Sequence, residues 1–156
     1  MIEILHRLDR NLKLLYSFQG ENRLTLILEL ETKSAACPYC GHFSSRPHSS
    51  YTRSVHDLPI HDQEISLIIH LHKWFCDQES CPTKVFTERL NWLSPYRRKT
   101  IRLEETLRTL AFSMSCLQAE KVCHRLHMPA SHDALLNLIK STDIQSEHED
   151  SPFCSY

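Results

Sequence analysis

The sequence contains very little glycine, because Gly20 and Gly41 are the only two among 156 residues. Tight turns must therefore use Asn, Asp, Ser and the seven prolines instead of the residue that adopts positive φ most readily. The chain also lacks any run of the roughly eighteen apolar residues that a membrane-spanning helix requires. Its start, Met1 to Ile4, does not have the charged-then-apolar layout of a signal peptide. We therefore predict a cytoplasmic protein without a membrane function.

A strong excess of one charge is also absent, since the formal net charge is -1. This balance argues against a uniformly basic nucleic-acid binder, but the charges are distributed unevenly. Residues 84–126 hold nine Lys/Arg and four Asp/Glu, whereas residues 127–156 hold one Lys/Arg and five Asp/Glu. The basic middle is suited to phosphate contacts. The acidic tail, residues 143–156, has the composition of a disordered segment.

Two short cysteine pairs organise the chain. Cys37 and Cys40 are separated by two residues, Cys76 and Cys81 by four, and thirty-five residues lie between the pairs. Each short turn aims two sulfurs inward, and the long insert returns the chain to the same point. The pattern predicts a four-thiolate structural Zn²⁺ site with Cys37, Cys40, Cys76 and Cys81 as ligands.

Three other interpretations of the cysteines are open. A disulfide framework would require an oxidising compartment, which the odd count of seven cysteines and the N-terminal sequence do not favour. A thioredoxin-like pair would open a helix within a βαβ unit, whereas a predicted strand precedes Cys37 and a polar loop follows Cys40. A histidine could also replace one cysteine ligand, with His42, His48 and His72 as the candidates.

Alternating apolar residues predict two strands, over residues 23–33 and 63–75. Each strand leads into a cysteine pair, so we expect a small antiparallel sheet clamped by zinc. Residues 44–57 are polar and are interpreted as a loop, and residues 57–62 as a turn. Residues 1–18 have near-helical spacing, with a helix followed by extended chain as the alternative. Together these segments form the predicted zinc-binding β module, residues 1–93.

The apolar period changes after residue 94, where a basic run begins. Leu103, Leu107, Leu110 and Met114 recur at helical spacing, and two shorter amphipathic segments follow. Residues 127–130 form the predicted turn between those two segments, and Ser131 is a suitable N-cap for the last one. This outline is that of a helix-turn-helix over residues 94–142. The predicted fold class is therefore α+β, with a zinc-clamped β module followed by a three-helix module.

Several collinear motifs resemble one known family. These are Cys37-Pro38-x-Cys40-Gly41, Ser45-Arg46-x-His48-Ser49-x-Tyr51-x-Arg53, Asp57-Leu58-Pro59, Cys76-x4-Cys81, Phe86-Thr87-Glu88-Arg89 and Pro95-Tyr96-Arg97-Arg98-x-Thr100. Over residues 24–140 the chain is similar to the N-terminal part of ISL-three-type bacterial transposases. The resemblance implies a zinc-binding domain, then a helix-turn-helix that binds the ends of an insertion element, and finally an RNase-H-like catalytic domain.

Two features depart from that family. The chain ends at Tyr156, where the resemblance places the start of the catalytic domain, so we expect no catalytic residues and no enzymatic activity of its own. His61 and His127 occupy positions where the resemblance implies glycine, which affects the expected turn geometry.

The sequence therefore predicts a zinc-containing protein that binds double-stranded DNA, with a homodimer or a transposition-related protein as a further partner. The predicted DNA contacts are mainly cationic and lie in the insert and the helices: Arg46, Arg53, Arg97, Arg98, Lys99, Arg102, Lys121, Arg125, Ser131, His132, Asn137 and Lys140. Two alternatives are kept. One is a protein-interaction zinc module without DNA affinity, and the other is a fragment of an active transposase.

Overall fold

The computed structural model describes residues 2–142. Along the chain the elements are α1 (Ile2–Leu8), β1 (Leu12–Gln19), β2 (Arg23–Leu30), β3 (Ala35–Ala36), β4 (Phe43–Ser44), β5 (Pro47–Ile60), β6 (Gln63–Phe75), β7 (Val85–Thr87), α2 (Ile101–Ser113), α3 (Cys116–Arg125) and α4 (His132–Lys140). Residues 1–18 thus follow the alternative interpretation, a helix and then extended chain. The predicted disordered tail, with Cys154, lies outside the described residues.

The main sheet has five strands in the order β1-β2-β6-β5, with β7 also paired to β6. The predicted antiparallel arrangement is wrong for the two strands that lead into the cysteine pairs, because β2 and β6 run parallel, with Leu26 opposite Leu67. The other pairings of the sheet are antiparallel. The two strands lead into cysteine pairs that meet at one point. Strands whose carboxyl ends converge must run in the same direction when they are neighbours. The convergence of the cysteines therefore explains the parallel pairing.

The prediction of a polar loop over residues 44–57 is also wrong, since most of that segment is β5. This strand pairs antiparallel with β6 and lies at one edge of the sheet. Its polar side chains are tolerated there because one face meets solvent, while Val55 on the other face is buried. The predicted turn over residues 57–62 shrinks to His61 and Asp62, which join Ile60 to its partner Gln63.

The core of the sheet is a ladder of aliphatic side chains. The alternating residues predicted for the two strands are buried as expected, and Leu28 and Ile69 have no exposed surface. Leu5 of α1 and Leu93 close the same core. Burial of such side chains contributes about 1.5 to 3 kcal/mol each. The sheet is therefore stabilised by its hydrophobic face.

Helices α2, α3 and α4 pack around a second core that contains Leu107, Cys123 and Leu135. Each helix has a hydroxyl N-cap. Thr100 accepts from the Leu103 N–H at 3.3 Å, and Ser131, as predicted, caps α4. The longest of the four described helices is α2, with thirteen residues. Within residues 2–142 no helix combines the length and apolar character needed to cross a membrane.

The helices attach to the sheet through β5. The His56 N–H donates to the Arg98 carbonyl at 2.8 Å, and the Thr100 N–H donates to the His56 carbonyl at 3.0 Å. The buried Asp57 carboxylate accepts from the Thr100 hydroxyl at 2.7 Å and from Arg102 Nε at 2.8 Å. These contacts cross the predicted boundary at residue 94. The division into modules 1–93 and 94–142 stays a prediction.

Candidate metal centre and nucleic-acid interface

The structure brings all four predicted cysteines together. The sulfurs of Cys37, Cys40, Cys76 and Cys81 lie within 4.8 Å of one another. Cys37 Sγ and Cys81 Sγ are 3.9 Å apart, and Cys40 Sγ and Cys76 Sγ are 3.6 Å apart. A tetrahedral site with Zn–S bonds of about 2.3 Å places its sulfurs about 3.8 Å apart. The two measured S–S distances match this value, so small side-chain shifts suffice for the cluster to hold Zn²⁺. Among residues 2–142, no histidine belongs to it, and the six cysteines there are free thiols.

The local backbone explains how the first cysteine pair is shaped. The Gly41 N–H donates to the Cys37 carbonyl at 2.8 Å, and the Cys37 N–H donates to the His42 carbonyl at 2.9 Å. Gly41 has a φ of 74°, a conformation that glycine adopts without the steric cost of a Cβ. One of the two glycines in the chain is therefore used to close the metal-binding turn.

The second cysteine pair is anchored by β6 and β7. The Cys76 N–H donates to the Lys84 carbonyl at 2.9 Å, and the Cys81 N–H donates to the Gln78 carbonyl at 3.1 Å. Trp74 and Phe86 are buried against the cysteines. This small apolar cluster excludes water from three of the four sulfurs, while Cys40 remains exposed.

The thiols differ in acidity before a metal binds. Burial raises the pKa of Cys37, but the backbone N–H groups of Cys40 and Tyr39 outweigh it and lower that pKa to about 7. The Gln78 N–H lowers the pKa of Cys76, whereas burial and the other thiols raise it to about 12. One thiolate therefore forms readily near neutral pH. Cys76 and Cys81, whose pKa values are raised, need the charge of the metal to lose their protons.

The comparisons with known proteins agree with this geometry. Residues 33–81 match the family described as the zinc-finger of transposase IS204/IS1001/IS1096/IS1165. Those residues, here called the zinc ribbon, are similar to that transposase zinc finger. The ribbon holds Zn²⁺ through its cysteines, and the predicted resemblance to ISL-three-type transposases is confirmed.

One relative extends the comparison beyond the ribbon. The chain is 33% identical over 82 residues to the transposase for insertion sequence element IS1001 from Bordetella parapertussis. The match covers 53% of this chain and 20% of that transposase. The chain therefore spans only a minor part of this relative. No solved structure matches the chain.

The predicted DNA contact Arg46 lies close to the four-cysteine cluster, and its side chain already has partners within the protein. Its guanidinium pairs with Asp77, next to the ligand Cys76, and stacks over the Phe75 ring at 4.4 Å from the ring centre. The side chain therefore braces the end of β6.

Arg53 and Arg102 are likewise engaged with the protein. Arg53 donates to the carbonyls of Ser94 and Arg97 at 3.2 and 2.6 Å. Arg102 forms a two-pronged ion pair with Asp57, and its hydrogen bond to that carboxylate raises the pKa of the guanidinium. Arg53 thus fixes the segment between β7 and α2, and Arg102 fixes the start of α2 on β5. Their predicted phosphate contacts remain predictions.

Arg97, Lys99 and Asn137, in contrast, come together. They line a cleft of about 320 Å³ between the segment before α2 and helix α4, with Ala134 and Ser141. Arg97 Nε lies 3.7 Å from Glu104, and its side chain is half exposed. Arg98 is exposed next to them. The basic segment and the last helix thus share one surface.

The outer face of α4 carries Asp133, Leu136, Asn137 and Lys140, which are all exposed and follow helical spacing. His132 lies between two carboxylates, with Nδ1 3.5 Å from Glu120 and Nε2 3.3 Å from Asp133.

The remaining predicted contacts are Lys121 and Arg125, which are exposed on α3. Ser131, also exposed, uses its hydroxyl to accept the Ala134 N–H at 3.3 Å.

Sequence reasoning missed Tyr96. This ring is 96% exposed, and the residue has a φ of 61°. Its position between Pro95 and the basic run Arg97-Arg98-Lys99 was a signal that could have singled it out. A large aromatic side chain beside three cations suits nucleic-acid contact better than burial.

Proposed function

We propose that this protein binds double-stranded DNA, with residues 94–142 acting as a helix-turn-helix and α4 as the helix that reads the major groove. The observation that carries the proposal is the cleft in which Arg97 and Lys99 face Asn137 of α4. Cations beside a helix that displays an amide provide phosphate attraction and base recognition on one surface.

The outer face of α4 supports this role. Leu135 and Leu138 hold the helix on its neighbours, so that Asn137 and Lys140 remain exposed on the opposite side. Asparagine can bond the edge of an adenine with two hydrogen bonds, and lysine can contact phosphate. Asp133 would repel phosphate unless it accepts from a cytosine amine.

The zinc ribbon supplies rigidity in this proposal. The metal joins the ends of β2 and β6, and β5 carries the contacts to Arg98, Thr100 and Arg102 that position the helices. The match to a transposase zinc finger and the IS1001 relative support ends of an insertion element, or a related site, as the DNA target. The proposed role of residues 2–142 is recognition without catalysis.

The test is fluorescence anisotropy of the zinc-loaded full chain with a duplex selected from a random pool and with a scrambled duplex. Salt is varied from about 50 to 200 mM, since counterion release makes phosphate-driven binding salt-dependent. We expect the selected duplex to bind more tightly, with a steep loss of affinity as salt rises. Absence of binding to either duplex at low salt would overturn the proposal.

Single substitutions test which residues of this surface contact DNA. Lys99→Ala is expected to weaken both duplexes alike and to reduce the salt slope by roughly 0.9. Asn137→Ala is expected to reduce the preference for the selected duplex by roughly 5- to 150-fold. Lys13→Ala is the matched control, because Lys13 is an exposed lysine on β1 that pairs with Glu31 at 2.8 Å. It removes the same charge as Lys99→Ala, and no change in binding is expected.

A further inference from the structure

Tyr96 is the most exposed of the large hydrophobic side chains in the described part of the chain. Its backbone has a φ of 61°, a region that costs a non-glycine residue about 1 kcal/mol or more unless its surroundings enforce it. An aromatic ring in water on a strained backbone contributes little to folding. The residue therefore calls for an explanation outside the stability of the chain.

The segment that carries Tyr96 is held in place on both sides. One Arg53 nitrogen, Nη2, donates to the carbonyl before the ring, at Ser94, and to the carbonyl after it, at Arg97. The Arg97 N–H closes the turn by donating to Ser94 at 3.3 Å, and Arg98 accepts from the His56 N–H on β5. Because the turn is fixed on the sheet, the ring is presented in one place with little remaining backbone freedom.

A cavity of about 250 Å³ opens beside this turn. Tyr51, Arg53, Arg89, Leu90, Pro95 and Tyr96 are among the residues that line it. Arg89 is exposed, and within residues 2–142 no ion pair involves it. The cavity thus offers two tyrosine rings, aliphatic atoms and guanidinium groups. These suit a nucleobase, which has a flat π-face for stacking and polar edges for hydrogen bonds.

We propose that Tyr96 stacks on an unpaired base of bound DNA at the mouth of this cavity, while Arg97 and Arg98 contact the adjacent phosphates. The inference rests on the proposed DNA binding and adds a preference for DNA in which a base is free of its partner. Stacking is tolerant of sequence, because every base has a π-face. This contact therefore differs from the base-edge recognition assigned to α4.

The test compares four ligands of one sequence by anisotropy with the zinc-loaded full chain. They are an intact duplex, the same duplex with one bulged thymine, the same bulge with an abasic site, and the single strand. We expect the thymine bulge to bind roughly 5- to 150-fold more tightly than the abasic bulge, as for base stacking on an aromatic side chain. Comparison with the single strand shows whether binding of the unpaired base requires the complementary strand.

Three variants test the contribution of the Tyr96 ring to binding of the thymine bulge. Tyr96→Phe is expected to keep the preference for the thymine bulge. Tyr96→Gly is expected to abolish it, and glycine at a φ of 61° relieves strain, so a folding defect cannot account for the loss. Tyr16→Ala is the matched control, since Tyr16 is also an exposed tyrosine, 67% exposed, on the opposite edge strand.

Permanganate reactivity gives a second readout. The bulged thymine should be protected by the wild-type protein and reactive with Tyr96→Gly. If the protein binds duplex DNA but does not distinguish the thymine bulge from the abasic bulge, the stacking inference is overturned and the proposed function stands. If no DNA binds, both are overturned.

Discussion

The sheet and the helices of this protein are stabilised in different ways. The sheet has a core of thirteen buried residues, nearly all Leu or Ile, and the four-cysteine cluster lies at one end of it. The helices share a core of nine residues that includes three alanines and Cys123. Neither Cys116 nor Cys123 joins a metal-ligating cluster within residues 2–142. The helices thus have a smaller core and depend more on attachment to β5.

The difference in core size also indicates different roles for the sheet and the helices. A rigid sheet can act as a frame, and elements with smaller cores are those that open most easily. The proposed DNA-reading residues lie on the helices and on the segment attached to β5. Variants that damage one region and leave the other intact test whether the two are separable.

The largest effect is expected from removal of one zinc ligand. Cys76→Ser should reduce bound zinc from about one per chain to near zero and unfold the ribbon, because metal binding in such sites supplies on the order of 10 kcal/mol of folding free energy. Zinc content and a circular dichroism melt measure this. Cys116→Ser is the control, since Cys116 lies at the start of α3, and it should keep its zinc. Retention of tightly bound zinc by Cys76→Ser would show that another ligand completes the site.

A matched pair of core substitutions compares the regions directly. Leu28 in the sheet and Leu135 in α4 both have no exposed surface. Each change to Ala should cost about 2 to 5 kcal/mol in the free energy of unfolding. Only Leu28→Ala should make zinc easier to remove with a chelator, because only Leu28 lies in the core of the metal-bound sheet. Equal zinc loss from Leu135→Ala would mean that the two regions unfold as one unit.

The contact between the regions is the next target. Asp57→Ala should cost about 2 to 3 kcal/mol, because it leaves Arg102 and the Thr100 hydroxyl without their buried acceptor. Denaturant unfolding measures the cost, and the melting of the helices should separate from that of the sheet. Glu31→Ala is the control. It breaks the exposed pair with Lys13, and the expected cost is below about 0.5 kcal/mol. Equal costs would contradict a role for Asp57 in coupling.

The smallest expected effect is a gain in stability, from a substitution at His127. His127 has a φ of 56°, and the α3 terminus has paired hydrogen bonds from His127 to His124 at 3.2 Å and from Met128 to Cys123 at 2.9 Å. This is a Schellman arrangement, in which glycine is preferred at the residue with positive φ. His127→Gly should therefore stabilise the helices by about 0.5 to 1 kcal/mol in a thermal melt. His124→Gly, within α3, should instead cost about 1 kcal/mol. Loss of stability in His127→Gly would show that the imidazole makes a favourable contact there.

Much of this architecture could be predicted from local patterns. The alternation that predicted a strand over residues 63–75 matches β6 in full, because the side chains of a half-buried strand alternate between core and solvent. The helical spacing of Leu103 and Leu107 and the N-cap at Ser131 are likewise local features. The cysteine spacing predicted the metal because two short loops can deliver four thiolates to one ion.

Other features could not be predicted from local sequence patterns. The polar residues of β5 resemble a loop, and they form a strand because β6 supplies partners for their backbone groups. The glycine positions that the resemblance implied at His61 and His127 do keep left-handed backbones, at φ 48° and 56°. Spacing along the chain could not show that Arg53 and Arg102 would be engaged by carbonyls and by Asp57.

The sequence by itself determined the zinc ligands, the main helices and the two leucine-rich strands, because each depends on periodicity or spacing within a short segment. Only the tertiary structure decided the direction of β2 relative to β6, the existence of β5, and which cations remain exposed. Those properties depend on partners distant in sequence. For the same reason, only the fold showed that the Tyr96 ring lies in solvent beside Arg97 and Arg98.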